Sequence, residues 1–119
     1  MGKRLLVLGA GGHGKVVREV ALSLLDIDGK SVYDALDFLD DNSEDAIGRI
    51  ADLKKFHNKY SDVFCGIGNN KVRKQLLDQA KELDYSIPVL IHPTAYISPS
   101  AVIEVGTVVE PKAIVNANT

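Results

Sequence analysis

Hydrophobic and polar positions alternate along the first 90 residues in a pattern that predicts strands and helices in turn. The segment Lys3–Leu8, KRLLVL, becomes continuously apolar and ends at a glycine, which is typical of a strand buried on both faces. A turn at Asp28-Gly29 precedes a second predicted strand over residues 31–39. Between the first predicted strand and this turn, apolar residues recur at helical spacing and form one stripe: Val16, Val17, Val20, Ala21, Leu24 and Leu25.

The next part of the chain continues this order. Residues 42–48 are polar and predict a loop, and residues 51–60 predict a short helix. Strands are predicted over residues 62–67 and 87–91, on either side of a helix over residues 71–83. Strands that alternate with helices predict an α/β fold, with a small Rossmann-like parallel sheet covered by helices. Only one βαβαβ half is present, so the domain suits a mononucleotide better than NAD.

From Ile91 onward the pattern changes to a period of six residues. The period fits neither a helix nor one long strand, but it fits a solenoid of short parallel strands that stack aliphatic side chains turn upon turn. A loop-rich tail with fortuitous valines is the alternative. We therefore expect one domain over residues 1–90 and the start of a solenoid over residues 91–119. The aliphatic positions are Ile91, Ile97, Ile103, Val109 and Val115, and the small residues four positions later are Ala95, Ala101, Thr107, Ala113 and Thr119.

Composition narrows the class of protein. With 45% hydrophobic and 25% charged residues the chain is globular in composition. A net charge of −2 and no evident basic face argue against nucleic acid as the main partner. No signal peptide and no apolar run of the roughly 20 residues that span a bilayer are visible, so no membrane partner is expected. The single Cys65 cannot form an internal disulfide. These features fit a cytoplasmic protein of bacterial type.

The first candidate site is the segment GAGGHG at residues 9–14, which matches G-x-G-x-x-G between a predicted strand and a predicted helix. Such a turn lets backbone N–H groups approach a diphosphate at the amino end of the helix. We therefore predict that Gly11, Gly12, His13 and Gly14 bind substrate, with a purely structural turn as the alternative. His13 could donate a hydrogen bond to a phosphate or a sugar hydroxyl, or it could cap the helix.

Two further candidate groups follow predicted strands. Asp40 and Asp41 close the second strand, where acidic side chains accept hydrogen bonds from ribose hydroxyls, although acids there are also ordinary loop residues. Gly68, Asn69 and Asn70 form a second strand-to-helix turn, which a parallel sheet places at the same edge as the first. One of the two asparagines could serve only as a helix N-cap.

Three other polar residues have more ordinary explanations. Arg73 reads as surface charge or a phosphate ligand, His92 as part of a structural junction, and His57 as a solvent-exposed residue. Neither His57 nor His92 pairs with a cysteine or carboxylate at metal-ligand spacing, so no metal site is predicted.

The repeat segment IHPTAYISPSAVIEVGTVVEPKAIVNANT, preceded by VLGAGGHGKVV and GIGNNKVRKQL, resembles the hexapeptide-repeat sugar O- and N-acetyltransferases. The resemblance covers essentially the whole chain and narrows to bacterial enzymes that act on sialic acid or on UDP-linked amino sugars in surface-polysaccharide synthesis. It implies a left-handed parallel β-helix with three hexads per coil, acetyl-CoA as the acetyl donor, and a homotrimer.

In that family the catalytic histidine lies on a later coil. No histidine follows His92, and the sequence reaches Thr119 after five hexads. We therefore assign no catalytic residue in this chain, and we expect it to bind a sugar nucleotide with little or no acetyl transfer. The alternative function is a non-catalytic nucleotide- or NAD-binding module, which NAD binding tighter than UDP-sugar binding would favour.

Overall fold

The computed structural model describes residues 2–119 and begins with a parallel four-stranded sheet. Its strands are β1 (Lys3–Leu8), β2 (Tyr33–Leu39), β3 (Ala46–Gly48) and β4 (Asp62–Cys65), arranged in the order β3-β2-β1-β4. The helices are α1 (Gly12–Leu22), a 3-10 helix (Ile50–Phe56) and α2 (Asn70–Glu82). The predicted α/β fold with a small parallel sheet is confirmed.

Strand β1 runs through the middle of the molecule and is buried on both faces, as its sequence predicts. Leu5 and Val7 pack on the side of α1, whereas Leu6 and Leu8 pack on the side of α2 and the 3-10 helix. All four side chains have 0% exposure. Burial of each contributes on the order of 1.5–3 kcal/mol, so this strand anchors both layers of helices.

Helix α1 buries the central part of the stripe that the sequence predicts. Val17, Val20 and Ala21 are buried against the sheet. The helix ends at Leu22, where the Ser23 hydroxyl donates to the Val20 carbonyl, so the last two residues of the predicted stripe follow the helix instead of belonging to it. Among residues 2–119, no helix is both long and apolar enough to cross a membrane.

The prediction of a loop over residues 42–48 is wrong in its second half, because the strand β3 lies there. Phe38 and Leu39 of β2 pair with Ala46 and Gly48 at the edge of the sheet. The sequence offers no sign of this strand, because it is three residues long and its one large side chain, Ile47, points to solvent. A strand that buries one face of so few residues leaves no alternating pattern.

The prediction of a fourth sheet strand over residues 87–91 is also wrong. Only Ser86 bridges Asp62 of β4, and the chain then leaves the sheet. Pro88 has no N–H to donate to a strand ladder, and its carbonyl instead accepts from the Gly106 amide at 3.0 Å. The strand that follows, β5 (Leu90–Ile91), pairs with the repeat region.

The repeat region forms a parallel coil. Strand β5 pairs with β7 (Val108–Val109), and β6 (Tyr96–Ile97) pairs with β8 (Ile114–Val115). The partners are 18 residues apart, as in the side-chain bond from the Lys112 amide to Thr94 Oγ1, and 18 residues are three hexads. The aliphatic positions therefore stack in successive turns, as the period of six predicts. The left-handed sense of the coil stays a prediction.

The coil packs directly on the sheet domain. Helix α1 lies against β5 and β7, and Leu90, with 0% exposure, belongs to the same core as Leu5 and Val17. Val108 packs on the edge of this core. The division between residues 1–90 and 91–119 stays a prediction, but the apolar core is continuous across it.

Candidate functional site

The strand order creates a crevice at the centre of the sheet. The chain moves from β1 outward to β2 and β3, and then crosses to β4 on the other side of β1. In open parallel sheets, ligands bind outside the carboxyl ends of the strands at such a reversal. The turn after β1, residues 9–14, and the turn after β4, residues 66–70, flank this crevice. The two glycine-rich segments therefore meet where the sequence predicts a ligand site.

Close contact between the two turns explains some of these glycines. Gly9 has φ +98°, a conformation that side-chain-bearing residues rarely adopt. A Cβ on Gly14 would lie 2.0 Å from the Gly9 carbonyl oxygen, and a Cβ on Gly66 would lie 3.2 Å from the Gly14 Cα. Gly14, one of the predicted substrate-binding residues, is buried in this contact. Its absent side chain thus lets α1 approach the sheet.

Gly11 and Gly12, by contrast, face open space. Both are exposed, and a Cβ on either would meet no atom within 4 Å. Gly11 is the N-cap of α1 and provides no side-chain hydrogen bond to the amides of the first turn. Those amides have no carbonyl partner within the helix, so they are free to donate to an anion. His13, also exposed, lies in the same turn.

The amino end of α2 is closed by its own side chains. The Asn69 side chain accepts from the amides of Lys71 and Val72 at 3.0 and 3.1 Å, which makes Asn69 the N-cap. Asn70 Oδ1 accepts from the Arg73 guanidinium at 2.6 Å. Gly68 is exposed, and a Cβ on it would meet no atom within 4 Å. Of the two helix starts beside the crevice, α1 is therefore the one that can receive a phosphate.

Asp40 ties the first glycine-rich turn to the end of β2. Its Oδ2 accepts from the Ala10 amide at 2.8 Å, and its Oδ1 accepts from the amides of Asn42 and Ser43 at 2.8 and 3.0 Å. The bond from Ala10, followed by that from Asn42, lowers the pKa of Asp40 because each favours the charged carboxylate. Asp40 thus holds the turn in place.

Asp41 is exposed and accepts from the Ile50 amide at 3.0 Å through Oδ1. That bond fixes the start of the 3-10 helix and leaves Oδ2 available toward solvent on the β2 side of the crevice. The two acidic residues that the sequence predicts beside a nucleoside therefore both contact backbone amides in the protein itself.

A pocket of about 370 Å³ opens on the other side of the crevice, between the sheet domain and the coil. Its walls come from α1, the end of β4, α2 and the coil segment 104–108. His13 and Arg73 bring positive or polar groups, Glu104 brings a carboxylate, and the remaining lining residues include Phe64, Cys65, Leu77, Val105 and Thr107. A volume of this size lies within the range of about 300–1,000 Å³ that is usual for small-molecule sites.

Sequence reasoning missed the coil side of this pocket. Glu104 and Thr107 approach His13 only because the coil folds back on α1, and no spacing in the sequence indicates that approach. Arg73, which reads as surface charge, is half-buried and lines the same pocket. Its position one turn into a helix that follows a glycine-rich turn is the one signal that the sequence offers.

The remaining histidines and the cysteine lie in ordinary surroundings. His92 Nδ1 accepts from the Thr94 amide at 3.1 Å and so belongs to a corner of the coil, and His57 is exposed beside the Tyr85 ring. Cys65 is buried, and burial raises the pKa of its thiol. Among residues 2–119, no group of three or more histidine, cysteine or acidic side chains is placed to hold a metal ion.

A larger surface cavity, of about 640 Å³, lies elsewhere. It is lined by residues such as Lys3, Asp26 and Ser31, at the amino ends of the strands. Ligand sites of parallel sheets form at the carboxyl ends, so the smaller pocket beside the glycine-rich turns is the candidate site.

An open parallel sheet with a glycine-rich turn at its reversal, joined to a coil of six-residue repeats, is the architecture that this chain shares with solved acetyltransferase domains. The chain belongs to the PglD N-terminal domain family, which matches residues 4–80. It is 34% identical over 110 residues to UDP-N-acetylbacillosamine N-acetyltransferase of Bacillus subtilis (strain 168), covering 90% of this chain and 51% of that protein.

Solved structures agree with this assignment. The acetyltransferase domain of PglB from Neisseria gonorrhoeae FA1090, in complex with acetyl coenzyme A, superposes with a TM-score of 0.83 at 40% identity over 98% of this chain and 57% of that one. A histidine-to-asparagine mutant of perosamine N-acetyltransferase from Caulobacter crescentus, in complex with CoA and GDP-perosamine, gives a TM-score of 0.77 at 28% identity over 96% of this chain and 54% of that one. The chain thus spans about half the length of the relatives it matches.

Proposed function

We propose that this chain binds a UDP-linked amino sugar and presents it for N-acetylation by acetyl-CoA. The names of the relatives support both parts of the proposal, because they combine a nucleotide-linked amino sugar with acetyl-CoA or CoA. They favour an amine over a hydroxyl acceptor and a nucleotide sugar over sialic acid. They do not favour the alternative of a non-catalytic NAD-binding module.

The observation that carries the proposal is the difference between the two helix starts at the crevice. The first-turn amides of α1 have no side-chain cap, whereas Asn69 occupies those of α2. An uncapped helix start that follows a glycine-rich turn binds a diphosphate through backbone N–H groups and the helix dipole. We therefore place the diphosphate over Gly11 and Gly12.

The sheet then orients the two ends of the ligand. With the diphosphate over the turn after β1, one side of the ligand lies toward the end of β2 and the other toward the end of β4. The proposed nucleoside position is beside Asp40 and Asp41, where Asp41 keeps a free carboxylate oxygen. The sugar lies toward His13, Gly68 and Asn70, in the direction of the coil.

The proposed reaction joins the sugar amine to the acetyl group. The amine nitrogen attacks the thioester carbonyl of acetyl-CoA, a carbon–nitrogen bond forms, and the carbon–sulfur bond breaks. The nitrogen loses a proton to a general base, and the departing CoA sulfur takes one up. A cytoplasmic location, where acetyl-CoA is available, is part of the proposal.

We also propose a homotrimer, as the family resemblance implies. Tyr96 and Ile114, with exposures of 57% and 69%, stack on one wall of the coil and present an apolar strip. If the chains associate through this strip, Tyr96→Lys would place a charge in the interface, and the mass of the assembly measured by analytical ultracentrifugation should fall toward that of the monomer. A wild-type chain that sediments as a monomer at high micromolar concentration would contradict it.

Gly12→Asp tests the phosphate position. A carboxylate on the first turn of α1 interacts favourably with the helix dipole, and the position faces open space, so the fold should stay intact. The same carboxylate would repel the negatively charged diphosphate. We expect UDP affinity, measured by isothermal titration calorimetry, to fall at least about tenfold, equivalent to about 1.4 kcal/mol.

Gly12→Asn is the matched control, because it adds the same volume without charge. Its UDP affinity should stay within about threefold of that of the wild type, a difference of well under 1 kcal/mol. Equal UDP affinities of Gly12→Asp and Gly12→Asn would show that the phosphate lies elsewhere, and absence of UDP binding by the wild-type chain would refute the proposed function itself.

A further inference from the structure

We infer that Glu104, on the coil, is a specificity-determining residue that selects a sugar bearing an amine. The inference rests on the proposed function and adds to it the half of the site that the coil supplies. It assigns the pocket between the coil and the sheet domain to the sugar ring.

The pocket connects directly with the proposed phosphate position. His13, in the first turn of α1, lines the pocket one residue after Gly12. Cys65, at the end of β4, also lines the pocket, and the second glycine-rich turn follows it directly. A ligand whose diphosphate lies on the start of α1 therefore has this space open to it on the β4 side of the crevice.

The charges in the pocket are divided between its two sides. Arg73 on α2 and His13 on α1 lie on the sheet-domain side, where Arg73 can face the phosphate next to the sugar and His13 can face the sugar itself. Asn70 fixes the Arg73 side chain through one nitrogen, and the other guanidinium N–H groups remain available. We therefore expect the Arg73 guanidinium to donate hydrogen bonds to the phosphate next to the sugar.

Glu104 supplies the one carboxylate among the residues that line this pocket. Within residues 2–119 it has no ion-pair partner at salt-bridge distance. A carboxylate opposite two cationic or polar groups creates a dipolar pocket, which suits a ligand with an anionic diphosphate at one end and a protonated amine at the other. A sugar with a hydroxyl in place of the amine can still donate a hydrogen bond to the carboxylate, but it lacks the Coulomb attraction between a protonated amine and a carboxylate.

The repeat provides a matched comparison for Glu104. Glu110 stands six residues later, also directly after an aliphatic repeat position, and is exposed. It does not line the pocket. The two glutamates therefore have the same place in the hexad and the same charge, and they differ in whether they line the pocket.

The experiment measures affinities by isothermal titration calorimetry with three probes. They are UDP, a UDP-linked 4-amino sugar, and the UDP-linked sugar with a hydroxyl at that carbon. Because only the amino sugar can form an ion pair with Glu104, the wild-type chain should bind it about tenfold more tightly than the hydroxyl sugar. Glu104→Gln should lose most of that preference through weaker amino-sugar binding while its UDP affinity is unchanged, and Glu110→Gln should keep the preference.

The outcomes separate the inference from the proposed function. If UDP binds and Glu104→Gln keeps the full preference for the amine, the role of Glu104 is wrong and the phosphate site stands. If Glu110→Gln loses the preference as much as Glu104→Gln does, the effect is general surface charge and the inference is also overturned. If the wild-type chain binds none of the three probes, the proposed function fails and the inference fails with it.

Discussion

Replacing Gly14 by alanine places a methyl group against the backbone of the first glycine-rich turn. The added Cβ would lie 2.0 Å from the Gly9 carbonyl oxygen and 3.0 Å from its carbon. Contacts of real Cβ atoms are essentially never shorter than 3.0 Å, so the 2.0 Å contact with the Gly9 oxygen would force α1 or the turn to move by about 1 Å. The neighbour is backbone, and it cannot rotate away as a flexible side chain could.

The cost of that movement follows from what α1 covers. Val17, Val20 and Ala21 are buried against the sheet, and a gap of 0.5–1 Å forfeits about a quarter to a half of the dispersion energy at such contacts. Overpacking typically costs about 1–3 kcal/mol, and this contact belongs at the upper end. Alanine's advantage over glycine in a helix returns up to about 1 kcal/mol. We expect a net loss of about 2 kcal/mol in the free energy of unfolding.

Urea denaturation at 25 °C measures this loss, with Gly12→Ala as the control. The Cβ at position 12 meets no atom within 4 Å, so that variant should be unchanged or up to about 1 kcal/mol more stable. For Gly14→Ala the midpoint should fall at an unchanged m-value, and the melting temperature should drop by about 8 °C. A Gly14→Ala protein within about 0.5 kcal/mol of the wild type would refute the close-contact explanation.

Three further outcomes are expected. Tyr33→Phe removes the hydroxyl that donates to Asp62 Oδ2 at 2.7 Å and leaves the Asp62 carboxyl group, in a residue with 2% exposure, without any partner. The free energy of unfolding measured in urea should therefore fall by about 2 kcal/mol. An unchanged value would show that water reaches Asp62. Because the pKa of Asp40 is lowered in the folded state, its contribution to stability is complete above its unfolded pKa of about 3.9 and declines as the pH falls through the lower folded value. Asp40→Asn should therefore flatten the pH dependence of the unfolding free energy below about pH 4, and an unchanged acid limb would contradict that assignment. Leu90→Ala should cost about 2–5 kcal/mol, as in other buried leucines, in a single cooperative transition, whereas two separate transitions would show that the coil and the sheet domain unfold independently.

The sheet could be predicted where burial is one-sided or complete over several residues. β1 is apolar because both of its faces are covered, and the stripes of α1 and α2 are visible because each helix has one buried face. β3 could not be predicted, since a three-residue edge strand is held by backbone pairing to β2 and by few buried side chains. Residues 87–91 could have paired with the sheet or with the coil, and tertiary packing, which local sequence does not reveal, decides between the two.

The candidate site follows the same division. The two glycine-rich turns could be placed at one edge, because parallel strands bring their carboxyl ends together. The partner of Asp40 could not be foreseen, because the Ala10 amide lies 30 residues away in sequence. Which asparagine caps α2 depended on local geometry that both residues suit by type, and it is Asn69. Glu104 reaches the crevice only after the coil has folded onto α1.

This last contact has a consequence for how the two parts of the chain work together. α1 offers its amino end to the proposed phosphate position, and its side to β5 and β7 of the coil. Leu90 joins the core that Val17 and Val20 form, so the coil cannot tilt without disturbing the helix that carries the proposed phosphate position. The same coil carries Glu104 into the pocket. Since both sides of the pocket depend on one continuous core, packing fixes the position of the coil segment that carries Glu104 relative to the start of α1. We expect a substitution that loosens this contact to weaken the proposed preference for the amine before it weakens UDP binding.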